Sequence, residues 1–145
     1  MNKIAIVGTS KIRTREEEND IRDSITMILK KYSALNTKVI SGGAEGVDSI
    51  AVNIAEMHGF DTQVFLPKIK KWEPPTKDGY KSRNIQIANE CNELFCIALP
   101  YRLTKCYHHS DNEKIREHEN TAGCFTLNIA KTQNKPVELI VIPKR

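Results

Sequence analysis

Lys38-Val-Ile-Ser-Gly-Gly-Ala-Glu-Gly-Val-Asp-Ser-Ile-Ala51 is the stretch on which the fold turns. It opens as a β-rich run, passes through a tight Ser41-Gly42-Gly43 turn, and becomes a helix in which Val47, Ile50, Ala51 and Ile54 recur at helical spacing. Glycine in such a turn allows positive φ and lets a ligand approach without meeting a Cβ. The first N–H groups of a helix have no partner inside it and carry partial positive charge, so the junction suits an anion, most naturally a phosphate. A bare strand-turn-helix joint capped by Ser41 accounts for the same residues, since glycine and serine recur in α/β turns. Neither G-x-G-x-x-G nor G-x-x-x-x-G-K-[ST] is present.

Working outward, Lys3 to Val7 reads as a short buried strand that ends at Gly8-Thr9-Ser10, a second small-residue turn. Glu16 to Tyr32 has the stripe of an amphipathic helix, with Ile21, Ile25, Ile28, Leu29 and Tyr32 on one side and acidic residues at its start. The helix after the central turn stops at Gly59, and Asp61 to Leu66 forms a third strand closed by Pro67. Repeated strand-helix alternation with short links predicts a parallel sheet. The carboxyl edge of such a sheet is where ligands collect, which brings the Gly8 and Gly42 turns to one crevice.

Lys68 to Asp78 contains two prolines and reads as a loop at that edge. Its lysines, with Lys81 and Arg83, interleave with Trp72 and Tyr80, a pattern that suits a lid over a nucleotide or a stacking surface for single strands. A solvated loop anchored by its tryptophan fits equally well. Gly79 then opens a helix through Cys91, and Glu93 to Leu99 is a fourth buried strand. Pro100 to Asn120 lacks periodicity and reads as an irregular insert. It carries Cys106, His109 and His118, which with Cys124 make a candidate tetrahedral zinc set, although the gaps are not those of a standard finger. The last helix starts near Thr121, and Val137 to Ile142 is the final strand.

At 145 residues with 39% hydrophobic residues, the chain is the size of one α/β domain, 1–145, and can bury a real core. No apolar run reaches the roughly 20 residues that span a bilayer, and no export pattern precedes the first strand. The expectation is a cytoplasmic protein without a membrane partner, whose four cysteines are thiols or metal ligands rather than disulfides. A net charge of +4 is compatible with a phosphorylated ligand or a nucleic acid and diagnostic of neither.

Two motifs carry a resemblance. The S-G-G-A-x-G-[IV]-D turn from Ser41 to Asp48 resembles that of the SLOG superfamily. These Rossmann-like proteins include the DNA-processing protein A family, the LOG cytokinin-activating phosphoribohydrolases and small nucleotide-sensing modules. The G-Y-x-x-R-N opening at Gly79 to Asn84 is similar to the same group, where the Arg-Asn pair lies beside the phosphate crevice. The resemblance implies a three-layer sandwich with about five mostly parallel strands in the order 3-2-1-4-5. It places ligand phosphate over Gly42, Gly43 and the helix start beyond Gly46. Gly8, Ser10, Ser41, Gly123 and Thr126 line the crevice, Arg83 and Asn84 reach in, and Asp48 accepts from a ribose hydroxyl or complements the helix dipole. LOG enzymes carry P-G-G-x-G-T followed by a catalytic glutamate; here Gly123 and Thr126 match, but Leu127 and Asn128 follow. No nucleophile or acid-base pair stands out, so whether the chain is an enzyme stays open. The expected function is binding of a nucleotide or nucleotide-derived phosphorylated molecule, as sensor or N-glycoside-processing enzyme. Two alternatives stay open, a single-stranded DNA binder of the DNA-processing type and a zinc-stapled structural or partner-binding module. A homodimer is compatible with each.

Overall fold

Ile4-Ala5-Ile6-Val7 is buried on both sides, which an extended chain can achieve only between two layers. In the computed structural model, which describes residues 1–72, 78–99 and 122–142, this run is the centre of β1 (Asn2–Gly8). The other strands are β2 (Thr37–Ser41), β3 (Asp61–Val64), β4 (Glu93–Ala98) and β5 (Val137–Val141). The helices are α1 (Arg15–Leu29), α2 (Val47–Met57), α3 (Tyr80–Glu90) and α4 (Ala122–Thr132). The sheet runs β3-β2-β1-β4-β5 and every pairing is parallel. The α/β Rossmann-like class and the order 3-2-1-4-5 therefore hold. The insert at about 100–120 lies outside the described residues.

The period of two along β1 sorts its side chains between the layers. Ile4 and Ile6 join a core with α1 and α2 that includes Ile21, Ile25, Val47 and Ala51. Ala5 and Val7 face the other way and meet Ile87 and Ala88 of α3 and Leu127 and Ala130 of α4. Cys91 and Cys96 are buried free thiols in this second core.

Helix α1 starts one residue earlier and ends three residues before the expected Tyr32. Thr14 caps it, its hydroxyl accepting from the Glu17 amide at 3.1 Å, while Glu17 reaches back to the Arg13 amide at 2.9 Å. This is the reciprocal logic of a capping box, displaced by one residue. Glu17 thus has a specific role beyond complementing the dipole. Tyr32 keeps its place on the apolar stripe without being helical: its ring packs edge-on against Phe95, 6.3 Å between centroids, and its hydroxyl donates to Glu93 at 2.6 Å.

Close backbone approach positions the carboxyl edge. A Cβ on Gly8 would lie 2.1 Å from the Ile97 carbonyl oxygen, and one on Gly123 would lie 3.0 Å from the Gly8 backbone and the Cys96 sulfur. The start of α4 is therefore seated directly on the end of β1. Overpacking of this kind costs roughly 1–3 kcal/mol, and more where the obstacle is rigid backbone. Gly123→Ala is expected to fall within that range, and Gly8→Ala to lose more, in urea unfolding of both variants. Equal small losses would contradict this packing.

Candidate functional site

The order of the strands reverses between β1 and β4, and the crevice outside their carboxyl ends is where an open α/β sheet binds ligands. A cleft of about 760 Å³ opens there, within the size range of small-molecule and cofactor sites. Gly8 and Ser10 line it from the turn after β1, and Gly42, Gly43 and Asp48 from the β2–α2 junction. Arg83 and Asn84 enter from α3, and Gly123 and Thr126 from α4. Four segments far apart in sequence thus meet at one place. Lys70 and Trp72, after β3, stand on its wall as well.

Two of the expected residues do not line it. Ser41 is fully buried, and its hydroxyl donates to the Ile6 carbonyl at 2.7 Å, so it staples β2 to β1. Gly46 is the N-cap of α2 with φ 83°, and a Cβ there would lie 2.4 Å from the Thr9 carbonyl oxygen. That same oxygen accepts from the Val47 amide at 3.0 Å. Gly46 therefore serves the contact between the two turns, and the first helical N–H is already engaged. Thr126 does line the cleft, but its hydroxyl donates back to the Ala122 carbonyl at 2.9 Å.

Asp48 changes the reading of the central turn. Its carboxylate is 6% exposed and accepts from the Gly42 amide at 3.1 Å, with the amides of Ala44 and Gly8 also directed at it. The protein thus supplies its own anion to amides that the sequence reading reserved for phosphate. Gly42 lacks a Cβ for the same reason: one there would lie 2.6 Å from the Asp48 carboxylate and 2.9 Å from Arg83 Nη1. A Cβ on Gly43, whose φ is 71°, would strike Val64 and Leu66. The space left by these glycines is filled by the protein.

Arg83, 5% exposed, holds the other backbone group of Gly42. Nη1 donates to the carbonyls of Gly42 and Phe65, and Nε donates to Asn84 Oδ1 at 2.7 Å. Its guanidinium carbon also sits 5.4 Å from the Tyr80 ring centroid. Burial lowers the Arg83 pKa, opposed by Asp48. Burial pushes Asp48 up to about 6, opposed by Arg83 and the three amides. The carboxylate is thus tuned toward neutrality, as happens at functional sites and in structural ion pairs alike.

Asn84 is 4% exposed, and its Nδ2 is the buried side-chain nitrogen or oxygen without a partner among the described residues. Such a donor is expensive to leave unmade. It lines the same cleft as Ala122 and Gly123 at the start of α4. The open side-chain donor among the described residues therefore lies on the α3 side of the cleft, away from the Gly42 amide. Nothing in the sequence showed that the Gly42 amide is already engaged, because that depends on where the Asp48 carboxylate lands.

Of the candidate zinc ligands, Cys106, His109 and His118 lie outside the described residues, and Cys124 is fully buried on α4. Among the described residues no group of three or more His, Cys, Asp or Glu could hold a metal ion, and no helix is long and apolar enough to cross a membrane.

The model of one family, DNA recombination-mediator protein A, matches residues 1–109. No curated protein matches the sequence. Among solved structures, the chain is similar to TM1055, a structural genomics target, at TM-score 0.64 and 17% identity, covering 94% of this chain and 72% of that one. It is also similar to DNA processing protein A from Streptococcus pneumoniae, at TM-score 0.62 and 15% identity. That match covers 99% of this chain and 51% of the other, so the chain spans about half of that protein. At these identities the structural likenesses establish the fold. With the family match, they bear out the resemblance to the SLOG superfamily.

The raised pKa of Asp48 has a definite sign in stability. From its ordinary value of 3.8 to about 6 the folded state binds the proton more tightly than the unfolded state does. Its contribution is full below pH 4, is lost as pH rises to about 6, and is level above. Wild type is therefore expected to lose stability relative to Asp48→Asn across that window, in urea unfolding at a series of pH values. A relative gain across the same window would contradict the buried carboxylate.

Proposed function

Because the chain belongs to the DNA recombination-mediator protein A family, we propose that its cleft binds the phosphate of a nucleotide or nucleotide-derived molecule. The observation that carries this reading is Asn84 Nδ2, a buried donor without a partner on the wall of a cleft sized for such a ligand. Anionic oxygens would satisfy it, and the dipole of α4, whose start at Ala122 and Gly123 lines the cleft, favours negative charge there. Arg83 holds the floor in place and adds positive potential; Lys70 adds more at the wall. No general acid, base or nucleophile is assigned, so the proposal is one of binding.

A second reading, single-stranded DNA, is favoured by the family's name and by Lys70 and Trp72 standing together at the cleft. Its affinity would fall steeply with salt, because phosphate contacts release counterions. Lys70→Glu with Lys71→Glu is expected to weaken binding of a labelled oligonucleotide and to flatten its salt dependence. Unchanged binding would count against this surface.

For the main reading, Asn84→Asp is the informative change. It keeps the oxygen that accepts from Arg83 Nε and replaces the open donor with a negatively charged acceptor. Gly43→Asp is a poorer test, since a Cβ at that position strikes Val64 and Leu66. A ligand at a hundred times its dissociation constant stabilises the fold by about 2.7 kcal/mol, several degrees of melting temperature. Thermal shift with nucleoside mono- and diphosphates, ADP-ribose and dinucleotides is expected to raise the melting point of wild type and leave folded Asn84→Asp unmoved. Equal shifts in both proteins, or none in wild type, would end the proposal.

A further inference from the structure

Trp72 is the single tryptophan of the chain, it lines the cleft, and it is 46% exposed. An indole that merely anchored a loop would be expected to bury itself, yet almost half of this one meets solvent beside a candidate ligand site. Its ring contact among the described residues is with Phe125 of α4, perpendicular at 80° with centroids 5.1 Å apart. Such a contact occupies an edge or one face and leaves a face of the indole that Phe125 does not cover. Phe125 is steadied in turn by Lys81, whose Nζ lies 5.6 Å from the ring centroid. The backbone before the indole is held too. The Lys71 carbonyl accepts from the Tyr80 amide at 2.8 Å, and the amides of Lys68 and Ile69 donate to the Asp78 carbonyl at 2.9 and 3.1 Å.

We infer that Trp72 is a preorganised stacking platform for a nucleobase, so that the cleft takes nucleoside phosphates in preference to sugar phosphates or inorganic anions. This rests on the phosphate reading above and extends it from the anion to the base. A planar π-face is the one feature all nucleobases share, and stacking on an aromatic side chain is tolerant of base identity. Prior ordering of the ring by Phe125 and of its backbone by the Tyr80 amide reduces the entropy lost when a base docks. The same chemistry is offered by a free nucleotide or by one residue of a single strand.

The sole tryptophan gives a direct readout. Wild-type protein is titrated with AMP, ADP, ribose 5-phosphate, pyrophosphate and a short thymidine oligonucleotide, following tryptophan emission and, in parallel, heat of binding. AMP or ADP is expected to quench emission along the same isotherm that calorimetry reports, with no quenching by ribose 5-phosphate or pyrophosphate. Quenching by the oligonucleotide alone would also support the platform and assign the strand as source. Trp72→Ala is expected to weaken nucleotide binding by roughly tenfold or more, and Trp72→Phe to stay within about threefold of wild type. Nucleotide heat without any change in emission, or full affinity in Trp72→Ala, would overturn the platform while leaving the phosphate site standing. Absence of heat with every ligand would overturn both.

Discussion

Gly42 is gripped at both of its backbone polar groups, its N–H by the Asp48 carboxylate and its carbonyl by the Arg83 guanidinium. These side chains come from α2 and α3, on opposite faces of the sheet, so the interlock ties the two helical layers together through the end of β2. The two charges are bridged through Gly42 and are not in direct contact, and burying charge is weak evidence for stability, because desolvation offsets most of the attraction. The effect of the interlock is positional. Removing either side chain would leave a buried Gly42 backbone group without its partner, at a cost of about 1–3 kcal/mol, and so the three groups keep a single arrangement. Arg83 then fixes Asn84 through Nε, and the geometry of the cleft wall follows from that contact.

That interlock also decides what the cleft can do. A glycine turn at a helix start is ordinarily a place for phosphate, but an internal carboxylate turned onto the Gly42 amide takes up part of that capacity. The glycines give clearance for Asp48, Arg83, Thr9, Val64 and Leu66. Among the described residues the buried donor left open is Asn84 Nδ2, on the wall that α3 shares with the start of α4, and the proposed anion site rests on it. The α4 seat depends on Gly123 lying flat against Gly8, so the two turns that make the sheet edge also set the width of the cleft.

Much of the fold was legible in the sequence because it rests on periodicity. Ile4 to Val7 reads as a two-sided buried strand, the Val47 to Ile54 stripe as a helix, and alternation of the two leads to the parallel order that the sheet has. The cleft was legible in outline, since Gly8, Gly42, Arg83 and Gly123 sit where turn chemistry and resemblance put them. Roles within it were not. Whether Ser41 meets a ligand or Ile6, and whether Asp48 faces a ribose or its own turn, depends on rotamers and on contacts between residues up to 41 positions apart. No local pattern encodes those. Glu17 is the converse case, a residue that composition reads as solvated charge but whose spacing from Thr14 encodes a cap.

The central claim is that the Asn84 side-chain amide meets the ligand's phosphate, and its own nitrogen resonance tests it most directly. In 15N-labelled protein the Asn84 Nδ2 pair can be assigned by its loss in Asn84→Asp. Addition of ADP is expected to move one of its protons strongly downfield, as a charge-assisted hydrogen bond requires, while the Gly42 amide stays in place because Asp48 still holds it. A bound nucleotide that leaves the Asn84 pair unmoved and shifts the Gly42 amide instead would show that the phosphate displaces Asp48 at the glycine turn, contradicting this account.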